Sequence, residues 1–302
     1  MKRAVVFSAV LGIAVAAIYV SERRREKSSV SPNALLAVAA DVQRDITRAP
    51  MHFTRISDEE EIKIGNELAA RYSAFQEKLS PEEQGLADYV AKVGLTVSSH
   101  AHRRLPYQFH LIPDHSMVNA FSLPGGHVFF GEGLLDLMSS EDQLAFIAGH
   151  EIEHIDHYHC VERVQIEAQF RKLKLGIVGE LVQIPLQAWE VGYSKDEELE
   201  ADREGLHLAV LGGYSPYGAM TLFQSFNELH AEYVIHAKNP EQELSELAVQ
   251  SLKGYFRSHP ATSDRLAQVE RVVAEEHWQG RTTQRPFHVE YEVHNGQVVH
   301  KR

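Results

Sequence analysis

His150-Glu151-Ile152-Glu153-His154 constrains this chain more than any other stretch of its sequence. The run lies in a segment whose pattern demands a helix. Ser140 with Gln143 forms a capping box, and Leu144, Ile147, Ala148, Ile152 and Ile155 recur at helical spacing. On a helix, positions i and i+4 share a face, so both imidazoles reach one cation. Glu151 points beside that line, placed to hold a water rather than to ligate. In a chain with 18 histidines such a run arises by chance with a probability of roughly 0.1, so its surroundings must decide.

A catalytic zinc site takes three protein ligands and leaves one position for water. Glu198 and Asp202 are again i and i+4, one turn into a helix opened by a second capping box, Ser194 with Glu197. With Glu198 as the third ligand, Asp202 is left to accept from the other ring N–H of a ligand histidine. Glu200 is the competing ligand. A longer run ending in a third ligand histidine is rejected: His157 stands where that pattern needs glycine, and Cys160 where it needs the histidine. His157 and His159 therefore read as surface or supporting residues. The set His150, His154 and Glu198 predicts one Zn2+ per chain, with Glu151 as general base for peptide-bond hydrolysis.

Around this centre the pattern predicts an α+β, mainly helical body. Ser57 with Glu60 starts a helix, with Ile62, Leu68, Ala69, Tyr72 and Phe75 as its apolar positions. Pro81 opens another that stops at Gly94. Tyr107 to Ile112 alternates with period two, Met117 to Ser122 is a second short strand, Pro124-Gly125-Gly126 is a turn and His127 to Phe130 is a third strand. The expectation is a small β-sheet with a hairpin, lying over the zinc-binding helix. Gly133 to Met138 is a short helix, and Phe170 to Trp189 is amphipathic with a break at Pro185. Gly212-Gly213 ends the Glu198 helix and Pro216 begins the next. The remainder is helical to about Glu276, broken near Ser258-His259-Pro260, and the last residues are polar and partly extended.

Composition narrows the function. Thirty basic against 42 acidic residues, a net charge of −12, argues against a nucleic-acid partner, which needs clustered Lys and Arg. The single cysteine, Cys160, excludes an intramolecular disulfide and a Cys-rich zinc module. Lys2 and Arg3 precede an apolar run from Ala4 to Val20, followed by Arg23, Arg24, Arg25 and Lys27. At 1.5 Å per residue the run reaches roughly 25 Å, the short end of a membrane span. It reads as an anchor in residues 1–27 rather than a cleaved signal with Ala14-Val15-Ala16 as its cleavage site. Residues 28–54 read as a linker, 55–276 as a zinc metallopeptidase domain and 277–302 as a C-terminal tail. No internal repeat is present.

Five ordered motifs add a resemblance: Asn119-Ala120-Phe121-Ser122-Leu123-Pro124-Gly125-Gly126, Gly133-Leu134-Leu135, the His150 run, Glu198-Leu199-Glu200-Ala201-Asp202-Arg203, and Ser258-His259-Pro260 with Arg265. Together, from about Ile56 to Val273, they resemble the membrane-linked gluzincin peptidases. That family holds HtpX, the CAAX prenyl endopeptidases and the Oma-type and BepA-type proteases. The short single anchor resembles the Oma-type and BepA-type branch, and the chain departs from the BepA type in lacking helical repeats. The resemblance implies a zincin-like fold and a zinc endopeptidase of the cell envelope that cuts membrane-associated or misfolded polypeptides. The alternative is a zinc-dependent envelope chaperone or adaptor with secondary or latent protease activity; a structural zinc helix pair is the third reading. The resemblance further implies that the Ser-His-Pro loop lies over the active site. There His259 is either a fourth zinc ligand that holds the enzyme latent or a donor to the tetrahedral oxyanion. The Met117–Ser122 strand is expected to bind substrate backbone as an added strand, with Asn119 and Ala120 at the cleft. The body is expected outside the cytoplasm. The basic cluster after the anchor argues the other way under the positive-inside rule, and secretion after signal cleavage stays open.

Overall fold

The computed structural model describes residues 56–163, 193–236, 259, 263–287, 291–294 and 297–300. The apolar run 4–20, the linker 28–54 and the amphipathic stretch 170–189 lie outside the described residues. Among those described, no helix is long and apolar enough to cross a membrane.

The chain opens with α1 (Asp58–Ala69), capped by Ser57 and Glu60 as the sequence requires. A 3-10 turn at Ala70–Tyr72 joins it to the short α2 (Ser73–Gln76). That turn shifts the apolar phase. Leu68 and Tyr72 are buried, whereas Phe75 is 43% exposed instead of continuing the buried face. Next, α3 (Pro81–Ser98) does not stop at Gly94. A Cβ there would lie 2.4 Å from the Phe109 ring, so the glycine admits an aromatic side chain against the helix backbone.

The sheet follows as β1 (Gln108–Ile112), β2 (Ala120–Leu123) and β3 (His127–Gly131). Its order is β1-β3-β2, with β3 antiparallel to β2 and parallel to β1. The expected hairpin is therefore β2–β3, turning through Gly125 (φ 78) and Gly126 (φ 106). The parallel partner had no signal of its own. The second strand starts at Ala120 rather than Met117, because Met117 N–H is spent on the turn carbonyl of Asp114. Side chains sort by the period of two. Phe109, Leu111, Val128 and Phe130 face the main core, while Ile112, Phe121, Leu123 and Phe129 face Leu68 and Tyr72 of the α1 segment.

Past α4 (Glu132–Leu135) comes α5 (Glu141–Asp156), capped by Ser140 and Gln143. Every residue from Asp142 to Asp156 is buried, so this helix is wrapped on all sides. Helix α6 (Lys195–Leu211) crosses it, followed by α7 (Tyr217–His236) and α8 (Ser263–Glu275). The loop after α6 and the stretch after α8 both return to the start of α5: Asp142 accepts from Ser215 N–H and from Arg285 N–H, both at 2.6 Å. An antiparallel hairpin, β4 (Tyr291–His294) and β5 (Gln297–His300), fits the expected extended tail. The fold is α+β and mainly helical, with one small three-stranded sheet beside the buried α5.

Candidate metal centre

Helix α5 presents His150 and His154 on one face, and α6 brings Glu198 up to them. His150 Nε2 lies 3.1 Å from His154 Nε2 and 3.6 Å from Glu198 Oε2; His154 Nε2 lies 3.6 Å from Glu198 Oε1. His259 joins from the segment before α8. Its Nδ1 is 3.1 Å from both His150 Nε2 and Glu198 Oε1. All four side chains are buried, and one donor atom from each falls within 4.8 Å of the others.

These separations fit a cation. A tetrahedral zinc with arms of 2.0–2.1 Å holds its donors about 3.3–3.4 Å apart, the middle of the 3.1–3.6 Å observed. The charges agree. Glu151, Glu198 and Asp202 are three fully buried carboxylates, and among the described residues Arg265 is the one buried guanidinium beside them. A cation bound among them would offset the remaining negative charge, which is costly in a dry interior. Burial holds the His154 imidazole well below its usual pKa, leaving its lone pair available. Burial pushes the Glu198 carboxyl up, but the charges of His259 and Arg265 outweigh it and hold the group well below the usual carboxylate range. For His259 burial opposes the charge, and the Glu198 and Glu151 carboxylates overcome it and raise its pKa.

The surrounding shell orders the donors. His150 Nδ1 lies 2.9 Å from Asp202 Oδ1, the position expected of Asp202. Arg265 then grips Asp202 with two hydrogen bonds of 2.6 Å, and its third nitrogen stands 2.9 Å from Glu198 Oε2. Arg265 was part of a sequence motif, but nothing in the spacing revealed that one guanidinium would tie together both carboxylates of α6. Glu200, the rival ligand, is outside the cluster; it faces His157 and His159, each at 3.6 Å. His157 also lies 3.1 Å from Glu153, while His159 is buried with its Nδ1 2.9 Å from His154 Nδ1. Tyr193, which sequence reasoning passed over, stacks on the His154 ring at 3.6 Å, and Arg163 covers the tyrosine at 3.9 Å.

Glu151 is fully buried. Its Oε1 is 3.3 Å from His259 Nε2, and its Oε2 has no hydrogen-bond partner among the described residues. The same His259 Nε2 lies 3.3 Å from the Ala120 carbonyl on β2, an edge strand of the sheet. Asn119, half-buried just before that strand, gives its carbonyl to Gly131 N–H. Cys160, the single cysteine, is buried against Ser122 and Tyr193, and burial pushes its thiol up to about 11.

A buried His-Glu donor cluster on crossed helices, beside the edge strand of a small sheet, defines a zincin-like metallopeptidase body. Residues 86–273 match Peptidase family M48, and the chain belongs to that family. It is similar to the metalloendopeptidase OMA1, mitochondrial, of Bos taurus, at 28% identity over 182 residues, covering 54% of this chain and 32% of that protein. It is similar to the beta-barrel assembly-enhancing protease of Escherichia coli (strain K12), at 28% identity over 159 residues, covering 46% of this chain and 32% of that protein. The mitochondrial metalloendopeptidase OMA1 of Schizosaccharomyces pombe is 24% identical over 211 residues, covering 67% of this chain and 58% of that protein. The chain thus spans about a third of the length of the first two of these curated relatives.

Proposed function

We propose that this chain is a zinc-dependent endopeptidase of the cell envelope that hydrolyses membrane-associated or misfolded polypeptides; the relatives' names support the endopeptidase part of this reading. One observation carries the reading. A buried carboxylate, Glu151, with an oxygen that has no hydrogen-bond partner among the described residues, stands beside a cluster of four donors within 4.8 Å of one another. A purely structural site would have no use for a carboxylate at that place.

In this reading His150, His154 and Glu198 hold one zinc ion. A zinc ion bound there would polarise the scissile carbonyl and bring the pKa of a neighbouring water towards about 7. Glu151 takes the proton of the attacking water and passes it to the leaving amine. Asp202 fixes the ring of His150, and Arg265 fixes Asp202 and Glu198. Substrate backbone adds to the edge of β2 at Ala120, with Asn119 at its end. Replacing Ala120 by proline removes a backbone donor and should raise KM; a folded variant with unchanged kcat/KM would count against strand addition.

His259 is the fourth donor in this reading and keeps the enzyme latent. Its Nδ1 completes the cluster while its Nε2 lies by the Ala120 carbonyl. One side chain therefore covers both the fourth metal position and the substrate strand's edge. That device also accounts for the alternative reading, a chaperone or adaptor with latent protease activity, as the closed form of the same protein. Residues 1–27 anchor the chain, 28–54 link it, 55–276 form the catalytic domain and 277–302 the tail, with the body outside the cytoplasm.

The deciding experiment pairs metal analysis with cleavage of an unfolded protein such as casein. His150→Ala and Glu198→Ala should lose zinc. Glu151→Gln should keep zinc and lose at least about 100-fold in kcat. Full turnover in Glu151→Gln would end the general-base assignment.

A further inference from the structure

We propose that His159 is a positioning residue that sets the tautomer and aim of His154, with Glu200 as its outer anchor. The proposal rests on the reading of His150, His154 and Glu198 as metal donors.

The two helical histidines are not supported alike. A histidine that gives Nε2 to a cation must carry its proton on Nδ1, and whatever accepts that proton fixes the ring. His150 turns Nδ1 to the Asp202 carboxylate, 2.9 Å away. For His154 the described neighbour at Nδ1 is another imidazole, His159 Nδ1 at 2.9 Å. Of two nitrogens that close, one donates and the other accepts. With His154 Nε2 turned to His150 and Glu198, His154 Nδ1–H donates and His159 Nδ1 accepts. The proton of His159 then sits on Nε2, which faces Glu200 Oε2 at 3.6 Å. Glu200, 39% exposed, stands just beyond hydrogen-bond reach and favours that tautomer of His159 through its charge.

This contact is built by a break in the helix. On a continuous helix, residue i+5 lies about 140° around the axis from residue i, so His159 would not reach His154. Helix α5 ends at Asp156, and Tyr158 takes the left-handed conformation with φ 65. A tyrosine there carries backbone strain. Tyr158 N–H is held by the Ile155 carbonyl at 3.0 Å, and the Arg103 guanidinium lies over its ring at 3.9 Å. Arg103 is in turn anchored to Ile155 O and to the buried Glu61. The turn swings His159 back under the metal helix, where it is only 7% exposed.

The test uses the full chain. Zinc affinity is measured by competition with a chromophoric chelator, and the His154 tautomer by 15N NMR. His159→Leu should weaken zinc binding 10- to 100-fold and leave His154 with mixed tautomers. His159→Asn, whose Oδ1 takes the place of Nδ1, should restore affinity to within a few-fold of wild type. Glu200→Gln should cost a few-fold. A folded His159→Leu with wild-type affinity would overturn the proposal, as would an Asn variant no better than Leu. Should His159→Leu fail to fold, the wild-type spectrum still decides: a proton on His154 Nε2 rather than Nδ1 overturns it. Wild-type protein that binds no zinc would instead remove the metal reading beneath it.

Discussion

Gly149 and Gly205 touch backbone to backbone where α5 and α6 cross. A Cβ on Gly149 would lie 2.3 Å from Gly205 O, and one on Gly205 would lie 2.5 Å from His150 N. This crossing sets how near Glu198 and Asp202 come to His150 and His154. Both carboxylates sit on α6, three and seven residues before Gly205. The pair of glycines thus acts as a spacer for the donor cluster, although neither reaches it.

Gly205→Ala should therefore do more than destabilise. Overpacking at a backbone contact costs about 1–3 kcal/mol. Here it should also pull Glu198 away and weaken zinc at least about tenfold. Thermal melts and chelator competition on the same preparation check this. Lost stability with unchanged zinc affinity would refute the spacer role.

Arg265→Met should be among the most damaging single changes in the body. It leaves Glu198 and Asp202 buried side by side without their cation, a defect of about 3–5 kcal/mol. Arg265→Lys should recover little, because one ammonium cannot make the paired bonds to Asp202 and reach Glu198 as well. Denaturant unfolding of the three proteins measures the ranking, and a lysine variant as stable as wild type would contradict it.

His259→Ala should raise basal cleavage, several-fold or more, while zinc stays bound through three donors. The enclosing contacts to Glu198, Glu151 and Ala120 motivate the sign. A fall in kcat would instead make His259 a stabiliser of the transition state. Initial rates at saturating zinc separate the two.

Stability should fall with acid on the sheet face away from the His150–His154–Glu198 cluster. His110 stacks on Phe129 and on His127, and burial, aided by His127, lowers its pKa to about 4. The folded pKa is below the unfolded value of about 6.5. The unfolded chain thus takes the proton first, and stability is lost as pH drops from about 6.5 to 4. The loss approaches ~1.4 kcal/mol per pH unit at most. His110→Phe should flatten this part of the curve. Urea unfolding of both proteins at pH 7 and pH 5 in the presence of a chelator tests it, and equal losses would exclude His110 as the source.

Much of the centre was legible in the sequence because its key spacings are local. His150 with His154 and Glu198 with Asp202 are each one helical turn apart, and Ser140 and Ser194 cap their helices through side chains three residues away. Such features depend on helix geometry alone. The choice of Glu198 over Glu200 as the residue facing the histidines followed the same logic, since Asp202 pairs with one face only. The alternation from Tyr107 to Ile112 was also local, whereas the faces of the other two strands were sorted only by the structure.

What the sequence alone determined, then, is the existence of the main elements and the shared face of His150 with His154 and of Glu198 with Asp202. Tertiary structure decided which faces meet and how closely. The helix from Pro81 runs through Gly94, where the glycine makes room for the ring of Phe109 rather than ending the helix. Strand β1 paired in parallel with β3, a choice with no signature in either strand. Arg265 became the clamp of two carboxylates, and His159 reached His154 only through the left-handed turn at Tyr158. Each of these rests on contacts between residues far apart in the chain or on a backbone break. Local periodicity carries neither the separation between packed helices nor the direction in which a broken helix turns. Those are fixed when the apolar faces close and every buried charge must find its partner.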